Sequence, residues 1–199
     1  FAARWISRLE TCAITTDNNN YNRPAVIGNM DQSVDMTTAC FDSCEDCVDY
    51  AALLHGSWSP IGMGVGPNQG DEGWWSYPRD GSRGCWEDDV FEFKADGTFT
   101  MDLGADTWLE GWQGVASEGC GAPVAPHVSA DHTYSFNASA MELTVNGDGA
   151  YVVLAKAHNS GEDGNSGGSI MYHVTSVTET EMILDLNYGN WWRLYLKKN

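Results

Sequence analysis

The residues most committed to chemistry are six cysteines: Cys12, Cys40, Cys44 and Cys47 near the start, then Cys85 and Cys120, one in each of two long Trp-bearing insertions. An even count suits an oxidising compartment. A Cys85–Cys120 bridge would pin the two insertions together and contribute roughly 3 to 4 kcal/mol through loop entropy. Cys12, Cys40, Cys44 and Cys47 can pair in more than one way, and sequence does not choose among them. Cys44-Glu45-Asp46-Cys47 also has C-x2-C spacing, but a zinc knuckle needs a second close pair, and Cys12 and Cys40 lie far apart. Disulfides are therefore the expectation.

Carboxylates gather in loops at Asp71-Glu72, Glu87-Asp88-Asp89 and Glu162-Asp163. Oxygen-rich loops with glycine are what calcium uses outside cells. Asp88 and Asp89 are the leading ligands for such a Ca2+ site, the one cofactor the sequence raises, although a solvated acidic face accounts for the same residues. Trp74, Trp75, Trp108 and Trp112 stand in the insertions, where flat rings beside carboxylates suit stacking on sugars and equally suit burial in a subunit interface. Asn137-Ala138-Ser139 is an acceptor for N-glycosylation in a turn. A glycan could thus meet this protein as ligand or as covalent coat.

Catalysis finds little support in these residues. No G-x-S-x-G, H-E-x-x-H or phosphate-cradling glycine motif occurs. His127 and His132 flank a loop, and Glu110 with Asp106 form no recognisable glycosidase pair. The sequence predicts a protein that is not an enzyme.

These side chains must be positioned by strands. Residues 89–94 (DVFEFK) and 98–103 (TFTMDL) alternate apolar and polar about an Ala-Asp-Gly turn, which is a hairpin pattern. Further strands are predicted at 132–137, 141–146, 150–155 (AYVVLA), 169–177, 181–187 and 191–197, with short connections rich in turn formers. Sequential strands so joined make an antiparallel meander, and closure into a barrel removes its edges. The expected fold is all-β: an antiparallel up-and-down β-barrel, or a closely related sandwich, over residues 56–199. Residues 1–55 form an N-terminal Cys-rich arm with too few apolar residues for a core of its own.

The chain has 199 residues, and ten Lys+Arg against 28 Asp+Glu give a formal charge of −18, which repels phosphate backbones and anionic membranes. No nucleic-acid partner and no membrane insertion are expected. The start at Phe1 without a charged-then-apolar leader reads as a mature form or fragment. Secretion or display at the cell surface is the expectation.

Gly56-Ser57-Trp58 opening the first barrel strand, and Trp191-Trp192-Arg193 in the last, resemble the lipocalin-like pattern. That resemblance implies a basic residue of the last strand covering the first-strand Trp. Alternation puts Trp192, Leu194 and Leu196 inside and Arg193 on the other face. GVGP at 64–67, Trp74-Trp75, CWEDD at 85–89, FEFKADGTF at 91–99, TWLEGWQG at 107–114 and CGAPVAPH at 120–127 resemble a small secreted β-module. Such modules lie beside laminarinase-type glucanases and in surface or virion proteins, which implies an accessory or structural role and no catalytic residue. The functional expectation is an extracellular structural or adhesive protein, self-associating through its arm into a homo-oligomer or filament. The alternative is a secreted carbohydrate-binding module using Trp74, Trp75, Trp108 and Trp112.

Overall fold

A computed structural model of the chain describes residues 48–78, 80–163 and 168–199. Contacts divide the chain into two units, Phe1–Asp49 and Tyr50–Asn199. The expectations placed on Cys12, Cys40, Cys44 and Cys47 lie outside the described residues. The second unit starts with a short helix, α1 (Tyr50–Leu54), whose Leu54 is fully buried and accepts a hydrogen bond from Trp58 Nε1 at 2.8 Å. Residues 50–55, predicted as the end of the arm, therefore belong to the barrel unit.

Among the described residues thirteen strands follow. They are β1 (Gly56–Gly66), β2 (Trp75–Ser76), β3 (Val90–Phe93), β4 (Thr98–Asp102), β5 (Thr107–Leu109), β6 (Gly119–Gly121) and β7 (Ala130–Asn137). After these come β8 (Glu142–Asn146), β9 (Ala157–His158), β10 (Gly161–Glu162), β11 (Ser169–Val177), β12 (Glu181–Asn187) and β13 (Trp191–Lys198). A second helical turn, α2 (Gly84–Glu87), lies between β2 and β3. The main sheet runs β13-β12-β11-β8-β7-β4-β3-β1-β2, and β13 pairs back onto β1. Eight strands thus close into an antiparallel up-and-down barrel, while β2 attaches to the far end of β1. Closure excludes the sandwich alternative. Among the described residues no helix is long and apolar enough to cross a membrane.

The alternation read from sequence is what fills the barrel. Phe91, Phe93, Phe99, Met101, Leu143, Val145, Tyr172, Leu184, Leu194 and Leu196 point inward and are buried in one core cluster. Each leaves a polar neighbour on the outer face, as a two-residue period requires. On that outer face Arg193 grips the fully buried Asp185 of the neighbouring strand with two bonds of 2.8 Å. The basic residue over Trp58 is Lys198, whose Nζ lies 5.0 Å from the ring centroid and donates to Leu53 O at 2.9 Å. The seam expected between first and last strands is present, five residues beyond Arg193.

Residues 150–155 are not a strand. Both sides of β8 are already occupied, by β7 and β11, so the apolar run has no free ladder to join. It packs into the barrel core as a plug instead, with Ala150, Tyr151, Val152, Val153 and Leu154 all buried. Its backbone is held by side chains: Trp86 Nε1 donates to Val153 O at 2.7 Å, and Val152 N donates to the Tyr172 hydroxyl at 2.9 Å. Val153 sits at φ 69°, a region that β-branched residues strongly avoid, so packing imposes this conformation. Gly149, at φ 78°, admits the chain to the plug, because a Cβ there would collide with the Pro126 carbonyl.

Candidate functional site

β1 is longer than the strand beside it. β3 pairs only with Gly56, Ser57 and Trp58, which leaves the Gly66 end of β1 standing above the barrel beside β13. The chain folds back onto that end as β2. Gly64 and Gly66 permit the approach, since a Cβ at either would strike Glu72 or the Asp71 backbone. Hydrogen bonds from Trp74 N to Val65 O at 3.1 Å and from Tyr77 N to Met63 O at 2.8 Å fix the return. Trp74 and Trp75 are thereby set at the lip, 57% and 39% exposed, although large apolar side chains in most positions of this unit are buried. Trp75 also meets Trp192 edge-on at 6.1 Å between centroids.

Beneath that lip lies an open cleft of about 340 Å3. Met63, Val65 and Leu154 form its floor, Trp74, Trp75, Tyr188 and Trp192 its aromatic walls, and Arg83, Lys156, Glu110, Glu118 and Glu162 its charges. Its volume is at the lower end of the range for small-molecule sites, and five of its twelve lining residues are charged. Arg83 is placed by the segment leading into α2. Its backbone N–H donates to the Tyr77 hydroxyl at 3.4 Å, Tyr77 donates to Glu87 at 2.8 Å, and the Tyr77 ring packs edge-on against Trp86. The Arg83 guanidinium then lies 4.1 Å from the Trp108 ring centroid and 5.5 Å from that of Trp75.

The carboxylates of the cleft differ in their commitments. Glu162 accepts from Trp192 Nε1 at 2.5 Å and faces Lys156 at 3.9 Å, and Lys156 in turn lies over the Trp192 ring. Glu110 is buried at the start of a 3-10 turn (Gly111–Gln113) whose capping box it forms with Gln113. Burial pushes the Glu110 carboxyl above its usual value; Lys156 and Arg83 pull it back, while the charge of Glu118 and a hydrogen bond with it add to the rise. The disulfide Cys85–Cys120 is formed, with Cα atoms 5.9 Å apart. It ties the segment carrying Arg83 to the one carrying Glu118.

Of the four predicted tryptophans, Trp74 and Trp75 line the cleft, and Trp108 lies behind Arg83. Trp112 packs edge-on against His127 at 5.3 Å and does not line the cleft. Asn137 is exposed at the end of β7, its Oδ1 accepting from Ser139 N and Ala140 N. Asp88 and Asp89 do not fit a calcium ion, which takes six to eight oxygen ligands. Asp88 is exposed, whereas Asp89 is fully buried, with Oδ2 accepting from the Thr107 hydroxyl at 2.8 Å. Burial, with smaller contributions from Asp88, Asp102 and Asp106, pushes the Asp89 carboxyl up to about 8. Among the described residues one group of metal-ligating side chains converges, Cys85, Asp106 and Cys120, and its two sulfurs are spent in the disulfide.

Sequence reasoning did not find Arg83, Glu118 or Lys156, and it named Glu162 only among the loop carboxylates weighed for calcium. They are spread over 80 positions and meet only through closure of the barrel. The available signal was scarcity: in a chain with ten Lys+Arg, a cation inside a Trp-rich acidic insertion stands out.

No protein-family model matches the chain, and no curated protein matches it. Two solved structures are similar in part. A lipocalin-like protein from Bacteroides uniformis matches with a TM-score of 0.39 and 12% identity, over 74% of this chain and 99% of its own. An uncharacterized protein from Bacteroides eggerthii matches with a TM-score of 0.39 and 11% identity, over 73% of this chain and 99% of its own.

Proposed function

We propose that the protein is a secreted, non-catalytic glycan-binding module whose ligand seats in the cleft against Trp74 and Trp75. The observation that carries this reading is the exposure of those two rings, 57% and 39%, on a cleft whose aromatic walls alternate with charged side chains. A sugar ring offers an apolar face to an indole and hydroxyls to carboxylates and cations, and the cleft supplies both kinds of group at once. The Cys85–Cys120 disulfide supports a place outside the reducing cytosol. The resemblance of residues 56–196 to modules that accompany glucanases belongs to the same proposal. Self-association through residues 1–55 falls almost wholly outside the described residues, and no observation on the barrel unit favours it over ligand binding.

The test is a glycan array followed by titration of the retained glycans, read by tryptophan fluorescence. Retention is expected, and the double variant Trp74→Ala/Trp75→Ala should bind about tenfold more weakly while folding normally, because exposed rings contribute little to the core. An array with no retained glycan, or equal binding by the double variant, overturns the reading.

A further inference from the structure

Two arginines of the barrel unit lie in opposite circumstances. Arg193 spends its guanidinium on Asp185, with two hydrogen bonds of 2.8 Å. Arg83 has a side chain only 15% exposed, yet its one ion pair within 4 Å among the described residues is Glu110 at 3.9 Å, beyond hydrogen-bond reach. Burial lowers the tendency of Arg83 to hold its charge, and nearby Glu110 and Glu118 raise it again without restoring the ordinary value; Arg193 is shifted the other way by its bonds to Asp185. A guanidinium fork that is largely desolvated and bonded to no carboxylate is the costly half of an ion pair.

The surroundings of Arg83 hold it in place without satisfying it. The Arg83 guanidinium lies over Trp108 and Trp75, its Cζ 4.1 and 5.5 Å from their ring centroids, contacts that offer no oxygen acceptor to its N–H edge. The charged groups nearest to it do not close that edge. Glu110 stands 3.9 Å away, and its own carboxyl is pushed above its usual value by burial first and by Glu118 beside it. Glu162 is engaged by Trp192 and Lys156. The cleft therefore contains a largely buried guanidinium that, among the described residues, is paired with Glu110 at 3.9 Å but hydrogen-bonded to no carboxylate.

We infer that Arg83 is the anchor for a carboxylate on the ligand, so that the glycan bound in this cleft is an acidic sugar, of the uronic or sialic kind. This rests on the glycan-binding reading. The carboxylate meets the guanidinium edge in bidentate fashion while the sugar ring lies against Trp74 and Trp75. The net charge of −18 opposes the approach of an acidic sugar at long range, so the attraction has to come from Arg83 and Lys156 within the cleft itself.

The experiment uses the full chain on an array holding uronate-terminated, sialate-terminated and neutral glycans, and then titrates each retained glycan beside its methyl ester. Esterification removes the charge and keeps the ring. The expected result is retention confined to carboxylate-bearing members, with about tenfold to a hundredfold loss on esterification and a similar loss in Arg83→Gln. Arg83→Lys, which keeps the charge and loses the fork, should fall between. The ester comparison needs no variant, so it stands even if Arg83→Gln folds poorly. Retention of neutral glycans, or of esters as tightly as acids, overturns the inference and leaves the glycan reading intact. No retained glycan at all overturns both.

Discussion

The indole of Trp86 donates a hydrogen bond of 2.7 Å to the carbonyl of Val153, across 67 positions of sequence and in the interior of the barrel. This bond and the one from Val152 N to the Tyr172 hydroxyl hold a segment without ladder partners in a dry core. A buried peptide group left without a partner costs about 1 to 3 kcal/mol. Trp86→Phe is expected to lower unfolding free energy by about 2 to 4 kcal/mol, since it orphans the carbonyl and also leaves a small void. Tyr172→Phe should cost about 1 to 3 kcal/mol for the orphaned amide alone. Urea unfolding curves measure both; losses under about 0.5 kcal/mol would show that the plug is held by packing only.

Asp89 gives the molecule an unusual dependence on pH. Its folded carboxyl titrates at about 8, above the roughly 4 of an unfolded aspartate, so the folded state binds the proton more tightly. Stability therefore falls as pH rises from about 4 to about 8, by no more than about 1.4 kcal/mol per unit, and is level above that range. Asp89→Asn, a neutral isostere, should remove this slope and be the more stable protein at pH 8. Parallel unfolding free energies at pH 5 and pH 8 test it, and an equal slope in both proteins would refute the assignment.

Asp185 works in the opposite sense. Burial alone pushes its carboxyl up, and the hydrogen bonds from Arg193 and Thr175, together with the Arg193 charge, overcome that and hold it below the usual value. Its contribution is present above the unfolded pKa and is lost as pH falls through the folded one. Arg193→Met leaves a fully buried carboxylate to Thr175 and Gln69 alone, and should cost about 3 to 5 kcal/mol at neutral pH. The deficit should shrink in acid, where the carboxyl takes up a proton. A thermal scan at pH 3 and pH 7 reads both effects.

The disulfide should matter for binding as well as for stability. Cys85 follows Arg83 by two residues and Cys120 follows Glu118 by two, so the bridge sets the width of the cleft between those side chains. Cys85→Ala/Cys120→Ala should lose roughly 3 to 4 kcal/mol of unfolding free energy. Under conditions where it is still folded, its ligand affinity should drop too; unchanged affinity would place the bridge outside the site.

The fold was legible because a two-residue period with Ala-Asp-Gly and Tyr-Gly-Asn turns leaves few alternatives to hairpins. Residues 150–155 were misread because an apolar run states only that it is buried. Whether it pairs depends on a free ladder beside it, and β8 offers none. Of the cleft, the local pair Trp74-Trp75 was readable, as was the Cys85–Cys120 bridge. Arg83 and Lys156 were not, because what distinguishes them is the company that closure brings, not their own neighbours in sequence.

The seam between the first and last strands carries a further consequence. Asn199 N bonds Ser57 O at 2.9 Å, and Lys198 Nζ bonds Leu53 O, so the polypeptide enters and leaves the barrel unit at one corner. Such a unit behaves as a cassette. Its two ends can be spliced by a short glycine-serine linker and new ones cut at the exposed stretch 104–106, giving a circular permutant that keeps every rung of the sheet. The same adjacency lets the barrel be grafted into a surface loop of an unrelated host without stretching either partner.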